Sequence, residues 1–355
     1  MREGLFLSKA FAQSMQPNKI VPFFYRASGT FNPEDITITT LVTSNRFKVF
    51  AQLVERYQGP ISVTVHIKSD SSHTTALLNE LHKLYASSPS MATFVDVHLV
   101  LDPFDRQLNT WRNIARFFAR TDFVMMLDVD FVVCTDFRAA VRASKAVMAR
   151  LSEGYTALVV PAFEYLKQAD GADQKKFPRD KNVCISIHSS LSLTHFSLLQ
   201  SLLSLVKAKK IDMFHRSWAP GHNSTDYARF YSSQPGEVYK VTQYHSAYEP
   251  YVIFKKTGPP WCDERFIGYG GNKAACLFEM YLSGMSFYVL SDHFLVHQSH
   301  LYEEAARRQE RKSNRKIYQD FKEEACLRCV FFLSFSLSIL SVYAIQHHTY
   351  YVTDI

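Results

Sequence analysis

Strand-like and helix-like segments alternate through the first 130 residues of the chain. The strand-like segments are rich in β-branched and apolar residues and span residues 35–44, 61–67 and 95–101. Each is followed by a segment with apolar residues at helical spacing, at residues 46–57, 74–85 and 108–120. This alternation builds βαβ units, in which consecutive strands run parallel and helices cover the sheet. We therefore predict an α/β fold with a central, mostly parallel mixed sheet flanked by helices.

The later part of the chain adds shorter strands. They are predicted at residues 123–127, 157–163, 248–254 and 287–290. A chain of 355 residues that is 47% hydrophobic can bury one large core. We predict a single domain over residues 35–325, preceded by a stem or irregular lead-in over residues 1–34.

Net charge and cysteine content limit the kinds of ligand, disulfide and metal site that this chain is expected to have. The net charge of +7 suits an anionic ligand, and the basic run at residues 307–316 is interspersed with Gln, Glu, Ser and Asn. Such a run is typical of a solvated helix face, so no nucleic-acid partner is expected. The six cysteines are sparse, so no disulfide framework is predicted, and the lone Cys326–Cys329 pair lacks further metal ligands.

Two aspartates, Asp128 and Asp130, directly follow the apolar strand at residues 123–127. Ligand sites in open α/β sheets lie beyond the carboxyl ends of the strands, and residues i and i+2 of a strand point to one side. We therefore expect the two carboxylates to converge on Mg²⁺ or Mn²⁺, which in turn binds diphosphate oxygens. A solvated aspartate pair in a turn is the alternative, but such a pair repels itself unless a cation lies between the carboxylates.

The same two aspartates also fit the first motif of a haloacid-dehalogenase-type phosphatase, with Asp128 as nucleophile and Asp130 as general acid. These enzymes need a later acidic pair for Mg²⁺ and carry the first motif near the N-terminus. The motif here lies well inside the chain, and no two aspartates are adjacent. The phosphatase is therefore the second hypothesis.

Further candidate site residues lie late in the chain. His297 and His300 follow an apolar segment, and an imidazole beside the carboxylate pair would favour Mn²⁺; a packed or surface histidine is the alternative. Asp263 or Glu264 could take the proton from an attacking hydroxyl. The glycine-rich residues 268–271 would let a ligand approach the backbone, or form a turn beside a surface ion pair.

In order along the chain, these motifs resemble glycosyltransferase family 49, which includes the C-terminal catalytic domain of LARGE-type enzymes and a β-1,4-glucuronyltransferase. The resemblance covers most of the chain and is carried by residues 46–47, 59–62, 111–113, 127–131, 159–164, 221–222, 249–252, 263–273, 288–290, His297 and His300. Ordered matches over this length are more specific than any one motif.

The resemblance implies a GT-A type fold, Mn²⁺, a UDP-sugar donor and inversion at the anomeric carbon. It implies that Asp128, Asp130 and His297 bind the metal. Residues near the donor would be Arg112, Asn113, Asp128, Asn272 and Lys273. Asp263 matches the acidic position of the late motif and is preferred to Glu264 as the base.

The sequence departs from the family pattern in three places. Gly271 stands where the family usually has a Trp, which removes an aromatic platform. Residues 182–200 look inserted, and residues 326–355 form an atypical apolar tail.

The expected partners are a UDP-sugar, with glucuronic acid as one candidate sugar, and a glycan or glycoprotein acceptor. The family implies the Golgi lumen, with membrane association through an N-terminal anchor that this sequence does not show or through the apolar tail. A catalytically inactive nucleotide-sugar-binding protein is the third reading.

Overall fold

The computed structural model describes residues 19–69, 73–104, 106–182, 201–300 and 307–328. Its strands are β1 (Lys19–Tyr25), β2 (Ile36–Thr43), β3 (Ile61–Lys68), β4 (Val95–Asp102), β5 (Phe123–Met126), β6 (Phe131–Val133), β7 (Thr156–Val160), β8 (Ala162–Tyr165), β9 (Ile211–Met213), β10 (Val238–Lys240), β11 (Tyr251–Lys255), β12 (Ser286–Leu290) and β13 (Leu295–His297).

The α-helices are α1 (Phe47–Tyr57), α2 (Thr74–Ser87), α3 (Pro89–Phe94), α4 (Leu108–Phe118), α5 (Phe137–Ala143), α6 (Lys145–Ser152), α7 (Leu202–Lys207), α8 (Tyr227–Ser232) and α9 (Asn272–Leu282). Short 3₁₀ helices lie at Ser44–Arg46, Gln174–Lys176, Arg216–Gly221 and Asn223–Thr225. Residues 307–328 are also helical and are called the C-terminal helix. Among the described residues, no helix has the length and apolar character that a membrane span needs.

The main sheet has nine strands in the order β1-β4-β3-β2-β5-β11-β7-β12-β10. Strands β4, β3, β2 and β5 are parallel neighbours, as the alternating pattern predicts. Strand β11 lies antiparallel between β5 and β7, and β12 returns to the parallel direction beside β7. A second sheet has the order β6-β13-β8-β9. The predicted α/β architecture, a central mixed sheet flanked by helices, is confirmed.

Side chains that alternate along the central strands pack on opposite faces of the sheet. In β5, Phe123 and Met125 join one buried cluster, which also receives α1, whereas Val124 and Met126 join the other. A strand covered on both faces needs apolar residues at every position, which explains why residues 123–127 form a continuous apolar run. The central strands are therefore supported by a buried cluster on each face of the sheet.

Two predicted elements differ in the structure. Residues 19–25, which the sequence analysis placed in an irregular lead-in, form β1 at the edge of the main sheet, where Pro22 removes no hydrogen bond that an inner strand would need. The strand predicted at residues 157–163 is divided at Pro161 into β7 and β8, which belong to different sheets. Between these two strands, the Pro161 carbonyl accepts a hydrogen bond from Leu295 N–H at 2.8 Å.

No disulfide framework was predicted, and the described residues contain a single bridge. Cys262 and Cys276 are joined, which ties the loop after β11 to α9. Cys134 is buried and free, and Cys326 is exposed and free. No local pattern indicates this bridge, because the two residues meet only when the loop after β11 packs against α9.

The predicted insertion at residues 182–200 falls, apart from Asn182, outside the described residues, and so does the tail after residue 328. The residues on either side of the insertion are directly hydrogen-bonded to each other. Leu202 N–H donates to the Asp180 carbonyl at 2.9 Å, and Leu203 N–H donates to the Lys181 carbonyl at 3.0 Å. The domain therefore closes on itself at the base of this segment.

Candidate active site

The ends of three neighbouring inner strands of the main sheet lie side by side. Strand β5 ends there at Met126, β7 ends at Val160, and the antiparallel β11 begins there at Tyr251. Asp128 lies two residues beyond the end of β5, so the fold places it beyond the carboxyl end of a parallel strand, where ligand sites of open α/β sheets lie.

Asp128 is surrounded by cationic side chains. Arg112 Nη2 lies 3.0 Å from Asp128 Oδ1, Lys273 Nζ lies 3.3 Å from Oδ2, and the Tyr251 hydroxyl donates to Oδ2 at 2.9 Å. Burial alone would raise the pKa of the Asp128 carboxyl, but the charges of Lys273 and Arg112 hold it well below its usual range. Asp128 is thus ionised and balances two cations that face the same edge.

A hydrogen-bonded frame fixes Arg112. Its Nη1 donates to Asn109 Oδ1 at 3.0 Å and to Asn272 Oδ1 at 2.6 Å. Asn109 Nδ2 in turn donates to the carbonyls of Asp263 and Asn272. Helix α4 and the start of α9 are therefore locked together, with Arg112 and Lys273, which are 8% and 5% exposed, directed at Asp128. The structure brings together four of the five residues predicted near the donor.

Asn113, the fifth, points elsewhere. Its Nδ2 donates to the Cys262 carbonyl at 2.9 Å and to Glu264 Oε1 at 2.8 Å, and its Oδ1 accepts from Cys262 N–H. Asn113 therefore holds the loop that carries the predicted acids, and the structure shows no contact between it and Asp128.

Asp130 lies in a different group from Asp128. Ligand atoms of Asp130, His297 and His300 all lie within 4.8 Å of one another, and His300 Nε2 is 3.3 Å from Asp130 Oδ2. Strand β13 sets this geometry, because it pairs with β6 and Gln298 N–H donates to the Asp130 carbonyl. Burial lowers the pKa of His297 to about 3, so its imidazole is neutral, as a metal ligand must be.

A carboxylate with two imidazoles is a donor set that suits Mn²⁺ better than Mg²⁺. The predicted ligands Asp130 and His297 thus lie together with His300, whereas Asp128 is not part of this group. The reason is that β5 ends at Met126 and residues 129–130 form a turn, closed by a hydrogen bond from Phe131 N–H to the Asp128 carbonyl. The same-side rule for residues i and i+2 holds only in an extended strand.

Arg46, at the end of the 3₁₀ turn after β2, adds a further cation to this group. Its Nε lies 3.4 Å from Asp130 Oδ1, and its Nη2 lies 3.0 Å from His300 Nδ1. Arg46, Arg112 and Lys273 therefore place three positive charges around two aspartates. A site with this balance suits a ligand that carries several negative charges.

The two predicted acids are in unequal surroundings. Asp263 is 10% exposed, and each of its carboxylate oxygens accepts a hydrogen bond from Arg265 Nε at 2.9 Å. Arg265 Nη2 also bonds to the Asp263 carboxylate, and it contacts Glu324 at 2.9 Å. Its carboxylate is therefore engaged in a buried ion pair with Arg265, where the sequence analysis had considered a surface one. Glu264 is exposed and bonded by Asn113.

The glycine-rich segment at residues 268–271 packs against the C-terminal helix. A Cβ at Gly268 would lie 2.4 Å from the Glu310 carboxyl carbon, and one at Gly270 would lie 3.0 Å from the Arg311 backbone. Asn314 Nδ2 donates to the carbonyls of Ile267 and Tyr269 at 2.9 Å. The glycines are needed because the C-terminal helix packs directly on this segment.

Three side chains near Asp128 were not singled out from the sequence: Glu249, His215 and His222. Burial raises the pKa of Glu249, against the opposing charges of Lys273 and Arg112. Burial lowers the pKa of His215 to about 4, and that of His222 falls well below its usual value, so both imidazoles are neutral. Glu249 and His222 lie in stretches that carry the family resemblance, which is the signal that could have identified them.

Comparison with known proteins defines the class. The family described as "Glycosyl-transferase for dystroglycan", glycosyltransferase family 49, matches residues 35–108 and 103–329. The chain therefore belongs to this family of glycosyltransferases, and the resemblance carried by the motifs is confirmed.

Individual relatives are similar over most of this chain. Xylosyl- and glucuronyltransferase LARGE2 of Mus musculus is 30% identical over 272 residues, which cover 76% of this chain and 35% of the relative. Glycosyltransferase-like protein gnt14 of Dictyostelium discoideum is 28% identical over 268 residues, covering 75% and 37%. The chain thus spans about a third of the length of these curated relatives. A solved structure of GalNAc-T7 with UDP, GalNAc and Mn²⁺ aligns over 76% of this chain and 44% of that chain, with 11% identity and a TM-score of 0.43.

Proposed function

We propose that this protein transfers a sugar from a UDP-sugar to a glycan acceptor, with inversion at the anomeric carbon. The observation that carries the proposal is the juxtaposition of two groups at one sheet edge. One is Asp130 with His297 and His300, a donor set for a divalent cation, and the other is Asp128 with Arg112 and Lys273. A nucleoside diphosphate needs both a divalent cation and fixed positive charges.

Each residue then has a defined part. Asp130, His297 and His300 would hold Mn²⁺, which would supply Lewis acidity at the diphosphate of the donor. Arg112 and Lys273 are held in place by Asn109, Asn272 and Asp128, so their charges need no rearrangement when negative charge grows on the leaving UDP. Asp128, fixed by these cations and by Tyr251, can accept hydrogen bonds from donor hydroxyls. We retain direct metal ligation by Asp128 as a prediction.

The donor sugar is proposed to be xylose or glucuronic acid. Support comes from the names of the relatives, which are xylosyl- and glucuronyltransferases. The third reading, a binding protein without activity, predicts UDP binding without turnover and is tested by the same experiment. The phosphatase reading has no support from the family match.

The test measures UDP release from UDP-xylose, UDP-glucuronic acid and UDP-glucose, with MnCl₂ and para-nitrophenyl glycosides of xylose and glucuronic acid as acceptors. We expect release with one donor, lost in EDTA and restored by Mn²⁺. Asp130→Ala and His300→Ala should weaken Mn²⁺-dependent UDP binding by about 10- to 100-fold, since each loses one ligand. Folded protein that binds UDP with Mn²⁺ but releases none from any donor would refute the transferase and favour the binding protein.

We also propose that the protein acts in the lumen of the secretory pathway, in the Golgi. Two features support this location. The Cys262–Cys276 disulfide suits an oxidising compartment, and the Asn223–Ser224–Thr225 sequon carries an exposed Asn223. Expression in mammalian cells should give a protein whose electrophoretic mobility changes on treatment with an N-glycosidase, and the change should be absent in Asn223→Gln. A wild-type protein that carries no glycan would contradict this location.

A further inference from the structure

Glu249 lies beside Asp128 and its cations without belonging to the groups described so far. It precedes Pro250, which restricts Glu249 to an extended conformation. Tyr251, two residues further on, begins β11, and its hydroxyl contacts Asp128 at 2.9 Å. The Glu249 carboxylate lies near the Ala274 N–H in the first turn of α9, next to Lys273.

An exposed tryptophan lies close to the Glu249 backbone. Glu249 N–H donates to the Gly221 carbonyl at 2.7 Å, and a Cβ at Gly221 would lie 3.3 Å from Cδ1 of Trp218. The indole thus packs over Gly221, yet Trp218 is 61% exposed. The loop that presents it starts at His215, which has a left-handed backbone conformation with φ of 53°. Non-glycine residues in that conformation are uncommon and concentrate at functional sites.

The other acids offered by the sequence are less suitable. Asp263 is bound by Arg265, and its carbonyl side faces Asn109. Glu264 is exposed and held by Asn113. Among the described carboxylates, Glu249 combines a half-buried position with proximity to Asp128, Lys273 and Arg112.

We infer that Trp218 and Glu249 form the acceptor subsite of the proposed transferase: the indole stacks on the face of the acceptor sugar, and Glu249 is the base that takes the proton of the attacking hydroxyl. This inference rests on the proposed function and names residues for its acceptor side. Sugar rings present C–H groups on one face, which pack on an aromatic ring, and the hydroxyl at the ring edge then points toward the neighbouring carboxylate.

The step balances as follows. The acceptor oxygen forms a bond to the anomeric carbon of the donor while the bond from that carbon to the β-phosphate oxygen breaks, and the electron pair leaves with UDP. The hydroxyl proton passes to the Glu249 carboxylate. Lys273 contacts Asp128 and precedes Ala274, whose N–H lies near Glu249, so the base and the leaving-group side are both next to the start of α9.

The first experiment compares wild type, Glu249→Gln and Glu249→Asp with a UDP-sugar and the para-nitrophenyl glycoside that serve the wild type. We expect kcat to fall by about 10²- to 10⁴-fold in Glu249→Gln, the range for loss of a general base, with partial recovery in Glu249→Asp. UDP binding with Mn²⁺, measured by calorimetry, should stay within threefold and shows that the variant is folded. If the wild type is active and the kcat of Glu249→Gln stays within threefold of it, the role of Glu249 as the base is overturned, whereas the proposed transferase function is not.

The second experiment tests the indole. Trp218→Ala should raise the KM for the para-nitrophenyl glycoside by about tenfold, the scale of one lost aromatic contact, and leave the KM for the UDP-sugar unchanged. Tyr155→Ala is the matched control, because Tyr155 is an equally exposed aromatic at 67% exposure, next to the opposite end of β7. An unchanged acceptor KM in Trp218→Ala overturns the stacking role. A wild type without transfer from any donor would refute the proposed function and this inference with it.

Discussion

Replacing Asp263 by Asn decides between a structural and a chemical role for that carboxylate. Arg265 is 5% exposed and is held between Asp263, at 10%, and Glu324, at 6%. Burial would lower the pKa of Arg265, but its hydrogen bonds and charge interactions with these two acids raise it above its usual value. The network continues to Arg328, which contacts Glu324 and also Glu279 at 2.7 Å.

The expected loss of stability in Asp263→Asn follows from the burial of this ion pair. Removing one partner of a buried ion pair costs about 3–5 kcal/mol, and we take the lower end, about 3 kcal/mol, because Glu324 remains as a partner of Arg265. An unfolding entropy of about 2.1 cal/mol/K per residue means that each kcal/mol lowers Tm of a domain of this size by about 1.5 °C, so Asp263→Asn should lower Tm by about 5 °C.

The assay is thermal unfolding followed by tryptophan fluorescence, with UDP release measured on the same samples well below Tm. Glu324→Gln is the matched variant, because it removes the other acid of Arg265 without touching the late motif. We expect both variants to lose stability together. An Asp263→Asn protein with unchanged Tm and a turnover about 100-fold below that of Glu324→Gln would refute the structural role and restore Asp263 as the base.

Three further predictions concern stability. Reduction of Cys262–Cys276, or the double serine variant, should lower the free energy of unfolding by about 3 kcal/mol, the value for a loop of this length, as measured in urea with and without reductant; equal stability in both would contradict this. Burial lowers the pKa of His98 to about 4, so between pH 6.5 and 4 the unfolded chain binds a proton that the folded chain does not, and stability should fall by up to about 3 kcal/mol as pH drops through that window. His98→Gln should flatten that slope in urea titrations, and an identical slope would exclude His98 as its source. Deleting residues 183–200 should leave Tm and UDP binding within error, because the flanking residues are already hydrogen-bonded and the closure entropy is small; loss of folding would show that the segment belongs to the domain.

The sequence predicts most of the parallel half of the sheet because local pattern and final burial agree there. The segments predicted at residues 61–67 and 95–101 correspond to β3 and β4, and the helix predicted at residues 46–57 corresponds to α1. Strand β1 was missed because KIVPFFY contains a proline and no alternation, and its position depends on pairing with β4. Such edge pairing is a tertiary contact that no local pattern encodes.

Residue chemistry and order along the chain were enough to identify the family and to name several side chains of the candidate site, but not Glu249, His215 or His222. Asp128, Asp130 and His297 were recognisable because the carboxylate pair follows a buried strand and because all three lie in motifs that carry the family resemblance. The tertiary structure decided how they are distributed. The turn at residues 129–130 separates the two aspartates, the pairing of β13 with β6 brings His300 to Asp130, and the C-terminal helix engages Asp263 through Arg265. Sequence patterns report the period of the local chain. The pairing of β13 with β6 and the contact of Arg265 with Glu324 instead join residues more than 50 positions apart, whose distances are set only when the sheets and helices pack.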